Sequence, residues 1–417
     1  MSLETATAVG APGGRHRILG LSFPVVALIS VNFFMADVRD GLGPYLAAFL
    51  QSHAWNTADI GMILSMGGII GMIATIPAGA LVDASRWKRG LMIAASLLVA
   101  ASCLLLLVRA DFAAVAFGQV AMPLAGAAIP PAIAGITLGM VGPRGFDRQL
   151  GRNEAANHAG NVFGAVLSGI AAWFLNIAGV LFVQIGLAAT AILATLAIPA
   201  RAIDHDMARG KSSEGGKAVS FFSLLQKRPL LLFALTLACF HLGNAAMLPM
   251  VGLQLSAAGG SSGIWLSAAI IIAQLTMIPM AILTAKVAEQ GGYRWIVVAA
   301  LLVLPIRGLI AATLPPLWSI IPVQILDGIG AGLLSVATPG VVARIMEGSG
   351  RFNAGLGAVM TFQGLGAALS PTIGGWIAND MGFPAAFGVL GAIAVVAMPI
   401  FWYVETGGRS EGAPGPA

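Results

Sequence analysis

Apolar residues run in long stretches at roughly 19–50, 59–82, 90–108, 112–141, 152–176 and 178–199. A polar stretch from Arg201 to Arg228 interrupts them. Six more stretches follow, at roughly 230–256, 262–287, 294–313, 317–343, 353–379 and 383–404. Each approaches or exceeds the ~20 residues that a helix needs to cross a bilayer. The pattern predicts an all-α polytopic membrane protein with twelve transmembrane helices, spans 1–12 in chain order. A six-helix half over 1–200 and another over 229–417 would flank a linker over 201–228. The joins at 50–59, 176–178 and 313–317 are the least sharply marked. Residues 1–18 are polar, and the run after them ends in DVRDG, so it reads as an uncleaved first span.

Composition narrows the class. Hydrophobic residues make up 58% of the chain and charged ones 9%, too little charge to cover a soluble domain of 417 residues. The 54 glycines suit helices that must approach closely in lipid. With a cytoplasmic N-terminus, all Lys and Arg residues except Arg39, Arg109 and Arg307 fall on the cytoplasmic side. The positive-inside rule produces this asymmetry. It predicts that both termini are cytoplasmic, in a cell membrane of the bacterial inner-membrane type. The net charge of +5 then belongs to loops facing anionic lipid, not to a nucleic-acid surface. Cys103 and Cys239 lie inside apolar runs and offer no disulfide framework or metal pair.

The halves look duplicated. At an offset of 206, Gly79 and Asp83 align with Ala285 and Glu289, and GNVFGAVLSG from Gly160 aligns with GAALSPTIGG from Gly366. An offset of 205 aligns Gln119 with Gln324. Parallel six-helix repeats are a transporter architecture, with the solute site between the halves near the membrane midplane.

These features resemble the major facilitator superfamily over nearly the whole chain. Its marker is the loop between spans 2 and 3, where Gly79, Asp83, Lys88 and Arg89 fit and Arg86 replaces the usual second glycine. By resemblance, that loop is a conformational latch. The Gly-rich antiporter pattern of span 5 appears as Gly160, Gly164, Ala165, Ser168 and Gly169, without its proline. Span 11 carries a closer version: Gly366, Ser370, Pro371, Gly374 and Gly375. The resemblance also implies that spans 1, 4, 7 and 10 line the cavity, with 2, 5, 8 and 11 beside them.

Ionisable groups inside a span are costly and therefore mark candidate sites. Span 1 carries Asn32, Asp37, Arg39 and Asp40. On a helix, Asp37 and Asp40 lie about 60° apart and share a face. One acid neutralises Arg39, and the surplus acid can carry a proton. Asp40 is the favoured carrier because Gly41, Gly43 and Pro44 follow it and predict a break. Glu154 and His158, four residues apart in span 5, are the next proton-coupling candidates. Asn157 and Asn161 join them, and His241, Asn244, Gln274, Gln324 and Gln363 supply polar groups in the second half. Arg307 and Asp327 match in depth and are expected to pair.

No Walker A sequence and no catalytic or metal constellation occurs in the sequence, so neither an enzyme nor a cofactor is expected. The expected function is secondary transport of a small organic solute by a monomer, with export driven by proton antiport. Proton-coupled uptake of a nutrient or metabolite is the alternative, and a membrane sensor or enzyme the remote one.

Overall fold

The computed structural model describes residues 17–18, 21–40, 42–205, 227–257, 262–291, 293–346 and 352–407. Eleven helices are long and apolar enough to cross a membrane. Span 1 completes twelve as two helices, Phe23–Asp40 and Gly43–Ser52. Spans 2 and 3 are Thr57–Ala84 and Lys88–Val108. Spans 4 and 5 form one element, Phe112–Leu175, turned at Gly142 where φ is 67°. Span 6 is Ala178–Ala197. Span 7 is again two helices, Arg228–Asn244 and Met247–Ala257. Spans 8–12 are Ser262–Gly291, Arg294–Thr313, Pro316–Ile345, Phe352–Met381 and Phe383–Gly407.

The three unmarked joins are tight turns. Ala54 and Asn176 take positive φ, and Pro315 precedes span 10. At the start of span 4, Asp111 Oδ1 accepts from the Ala114 amide at 3.0 Å, while Arg109 Nε donates to Oδ2 at 2.8 Å. These bonds, the Ala114 amide first, hold the Asp111 carboxyl below its ordinary range.

Both interrupted spans break at proline. Proline has no N–H, so Pro44 cannot donate to the carbonyl of Asp40, nor Pro249 to that of Ala245. The helices end at Asp40 and Asn244. The sequence predicts the first break; the second is visible only in the structure.

The repeat recurs in the packing. A Cβ on Gly160 would strike the Phe33 carbonyl of span 1, and one on Gly366 the Ala238 carbonyl of span 7. Between halves, Gly169 of span 5 packs against Ser267 of span 8, and Gly375 of span 11 against Gly61 of span 2. All four residues of this second set are related by the same offset of 206.

These inter-half contacts gather at one end of the molecule. Spans alternate in direction, so spans 1 and 7 begin on the side where spans 6 and 12 end, the terminal face. Opposite it lies the far face. There the second helices of spans 1 and 7 touch, as do spans 2 with 11 and 5 with 8. A Cβ on Gly364 would still meet Met72 at 3.7 Å. Two turns further toward the terminal face, on the same helix faces, Gly79 and Gly357 meet nothing within 4 Å. Spans 2 and 11 thus diverge, and the halves are sealed at the far face and parted at the terminal face.

This geometry separates two glycine substitutions. Gly160→Leu, which drives span 5 into the span 1 backbone within one half, should lower the amount of folded protein. Gly61→Leu blocks the seal between halves and should leave insertion intact while abolishing transport. Membrane protein level and far-face accessibility of a reporter cysteine check this; normal transport by Gly61→Leu would refute the assignment of the seam.

Candidate functional site in the membrane interior

The candidate residues collect around the two helix breaks. At the first, the Asp37 carbonyl accepts from Gln184 Nε2 of span 6 at 2.7 Å. The Asp37 carboxylate lies against the bare Cα of Gly164 in span 5, where any Cβ would collide with it. Its charge is within electrostatic reach of Tyr45, on the far side of the break. The Tyr45 hydroxyl lies 2.8 Å from Ser267 Oγ of span 8, a buried polar contact between the halves. Ser65 Oγ of span 2 adds another by accepting from the Thr372 amide of span 11 at 3.0 Å.

Arg39 lies beyond Asp37 on the same helix, and its carbonyl sits 2.6 Å from the Cβ position of Gly126 in span 4. Asp40 ends the helix, with its side chain outside the described residues. Asn32 turns back on its own helix, donating to the Leu28 carbonyl at 2.9 Å. It is a buried packing group in this conformation.

Span 5 divides its polar groups. Asn153 donates to Thr137 of span 4 at 2.9 Å and accepts from Gln149 at 2.9 Å. Asn157 and Asn161 are buried, His158 is half-buried and Glu154 is exposed. His158 Nδ1 has no hydrogen-bond partner among the described residues. The structure therefore separates a hydrogen-bonded pair of spans 4 and 5 from the exposed Glu154.

In the second half, Arg307 is 1% exposed and its Nη1 donates both to Asp327 Oδ1 at 2.7 Å and to Asn244 Oδ1 at 2.6 Å. Asn244 is the last residue before the span 7 break. Three spans, 7, 9 and 10, thus meet at one guanidinium. His241, half-buried, lies one turn earlier against Phe240. Gln324 is fully buried with neither amide atom bonded. Its counterpart Gln119 reaches the Ile63 carbonyl at 3.1 Å by lying across Gly67. Ala273 stands where Gly67 stands in the first half. Gln274 Oε1 is also buried without a partner, and Gln363 is half-buried on span 11.

Two residues of the expected latch bind the ends of helices. Lys88 is 1% exposed and donates to the Val82 and Ser85 carbonyls, at 2.8 and 3.0 Å, at the end of span 2. Arg89 donates to the Thr195 and Leu196 carbonyls, at 3.3 and 3.0 Å, at the end of span 6. Both cations neutralise helix C-termini within the first half. Gly79 is half-buried, and the Asp83 side chain lies outside the described residues. Among the described residues, no cluster of His, Cys, Asp and Glu could hold a metal.

Tyr45, Ser267 and Gln184 escape notice in the sequence because single hydroxyls and amides inside apolar runs look like packing. Their one signal is positional: Tyr45 follows the proline of a predicted break.

Discontinuous helices paired across two repeats, with charged groups at the breaks, are the arrangement of a secondary transporter. The comparisons with known proteins agree. A model of the MFS_1-like family matches residues 26–389. This chain belongs to the major facilitator superfamily. An uncharacterized MFS-type transporter of Mycobacterium tuberculosis, found in strains H37Rv and CDC 1551, is 41% identical over 386 residues, covering 89% of this chain and 92% of the relative. The multidrug transporter protein MdtP of Bacillus subtilis is 26% identical over 196 residues, 45% of this chain and 34% of that protein. Among solved structures, the nucleoside transporter NupG superposes with a TM-score of 0.75 at 14% identity, covering 92% of this chain and 99% of NupG. A bacterial homolog of the human lysosomal transporter Spinster, in an inward-facing, unoccupied conformation, gives 0.73 at 15% identity, covering 94% and 98%. The protein is thus an MFS-type membrane transporter.

The Arg307–Asp327 pair yields a test. Removing one partner of a buried ion pair leaves an uncompensated charge and costs about 3–5 kcal/mol. Arg307→Met and Asp327→Leu should each lower folded protein severalfold, and the double variant should recover it. Additive losses would mean that the pair contributes no coupled stability.

Proposed function

We propose that this transporter exports a small organic compound in exchange for protons, with the terminal face cytoplasmic. One observation carries the coupling. The Asp37 carboxylate lies within electrostatic reach of Tyr45, whose hydroxyl is 2.8 Å from Ser267 Oγ across the far-face seam. A proton reaching Asp37 and the opening of the far face therefore act on the same tyrosine. Asp37 becomes the preferred coupling acid on this ground, with Asp40 beside it at the helix break. With the terminal face open to the cytoplasm, the proton would leave and the solute enter on that side. Proton binding from the far side then resets the cycle, as alternating access requires.

Export is favoured by the glycine-rich span 5, whose Gly164 receives Asp37, and by the partial resemblance to a multidrug transporter. The cytoplasmic terminal face rests on the distribution of Lys and Arg.

Orientation is checked by reporter fusions after Gly13 and Gly407. Both should report the cytoplasm, and a periplasmic signal from either would overturn the assignment. The coupling is checked in everted vesicles loaded by an imposed proton gradient. Asp37→Asn should abolish proton-driven accumulation while sparing solute exchange down its own gradient. Tyr45→Phe should slow both. If Asp37→Asn retains full pH-dependent accumulation and Asp40→Asn loses it, the carrier is Asp40. If both retain it, coupling lies outside span 1. Accumulation by right-side-out vesicles under an inward proton gradient would make the protein an importer.

A further inference from the structure

The two halves share a fold but differ at one corner of the terminal face. In the first half, Lys88 and Arg89 open span 3 and bind the carbonyls that end spans 2 and 6. Their counterparts at an offset of 206 are Arg294 and Trp295, which open span 9. Leu196 and Ala197 at the end of span 6 correspond to Trp402 and Tyr403 at the end of span 12. The second half has thus exchanged an arginine and two aliphatic residues for three aromatics.

The exchange builds a platform. The Arg294 guanidinium lies 3.7 Å over the Trp402 ring and 5.6 Å from the Trp295 ring. The two indoles meet edge to face, 6.2 Å apart. Arg228, which opens span 7, lies 4.7 Å over the adjacent Tyr403 ring. Trp295 is 65% exposed, and Trp402 and Tyr403 are about half exposed. Arg294 Nε has no hydrogen-bond partner among the described residues, unlike the fully committed cations of the first half.

Stacking on a ring holds a guanidinium in place without neutralising it. Neither span 7 nor span 9 has an acidic residue in its first turn. The described side chains of this corner are cationic and aromatic and at least partly exposed; Glu405, at the end of span 12, has its side chain outside the described residues. It lies where three spans end on the outside of the bundle, away from both helix breaks. Indoles and phenols favour the depth of lipid headgroups, and a guanidinium matches a phosphate with two parallel donors.

We propose that Arg294 and Arg228, mounted on Trp402, Trp295 and Tyr403, bind the phosphate of an anionic phospholipid at the terminal-face end of spans 7, 9 and 12. The lipid's acyl chains lie along the exposed aromatic and aliphatic faces of these spans. The site is independent of the transported solute and of the direction of transport.

Native mass spectrometry of the full-length protein in detergent, titrated with phosphatidylglycerol, tests the site. Wild-type protein should retain one phosphatidylglycerol more tightly than phosphatidylcholine. Arg228→Gln with Arg294→Gln should weaken that retention by about 30-fold, the contribution expected from two basic residues at a membrane surface. Arg294→Lys, which keeps the charge but loses the planar stack, should fall between. Trp402→Leu should also weaken retention while leaving both arginines. Thermal melts of each variant confirm that it is folded, and a variant that melts early is replaced by the single Arg228→Gln, read in the same titration. Equal retention by wild type and double variant overturns the proposal, as does equal binding of phosphatidylcholine. Competition by millimolar inorganic phosphate as effective as by the lipid would assign the corner to a free anion and reject the lipid.

Discussion

A bilayer offers no water to a broken helix, so every backbone group freed inside it must find a partner in the protein. That constraint organises this molecule. Pro44 and Pro249 remove backbone donors 205 residues apart and interrupt spans 1 and 7 at equivalent places. Side chains from neighbouring spans answer. Gln184 of span 6 donates to the Asp37 carbonyl, and Ser370 Oγ of span 11 accepts from the Ala246 amide at 2.9 Å. Each break is thereby locked to its own half, and each half can move as a unit. The breaks also admit charge. Asp37, Arg39 and Asp40 cluster at the first, while Asn244 at the second holds Arg307 and, through it, Asp327.

The duplicated frame and the diverged chemistry have different physical origins. The frame depends on close backbone approach, which small residues at equivalent positions supply: Gly160 and Gly366 within halves, and Gly61 with Gly375 and Ser267 with Gly169 between them. Polar groups were free to differ. Asp37 corresponds to Leu242 and Asp327 to Met122, so each half carries an ionisable centre the other lacks. The same holds for Gln119 and Gln324, which share a position and differ in bonding: Gln119 reaches the Ile63 carbonyl, and Gln324 has no partner among the described residues. Symmetry at the level of helices therefore supports asymmetry at the level of charge.

The spans were legible because a helix that crosses lipid must be apolar for ~20 residues, a requirement local to the chain. The first break was legible for the same reason, since Gly41, Gly43 and Pro44 stand together. Pro249 gave a weaker signal, lacking glycines beside it, although its missing donor has the same effect. The Arg307–Asp327 contact could be anticipated from depth alone. The seam could not. Tyr45 and Ser267 are 222 residues apart, and nothing local to either marks them as partners. Lys88 and Arg89 read as topology signals or a latch; their bonds to the ends of spans 2 and 6 depend on how those helices converge.

The seam's weakness is what makes it suitable for transport. Lipid provides no hydrophobic drive to hold two apolar halves together, so small-residue packing and a few hydrogen bonds must do so. Interhelical hydrogen bonds in membranes contribute on average about 0.6 kcal/mol each. Tyr45 with Ser267, and Thr372 with both Ser65 and Gly61, therefore supply on the order of 2 kcal/mol. One proton binding step changes free energy by about 1.4 kcal/mol for each unit by which its pKa differs between two conformations. In the proposed exchange, a single carboxylate within electrostatic reach of Tyr45 would work on the scale of these hydrogen bonds. A seam of large interlocking side chains would place that balance beyond the reach of one proton.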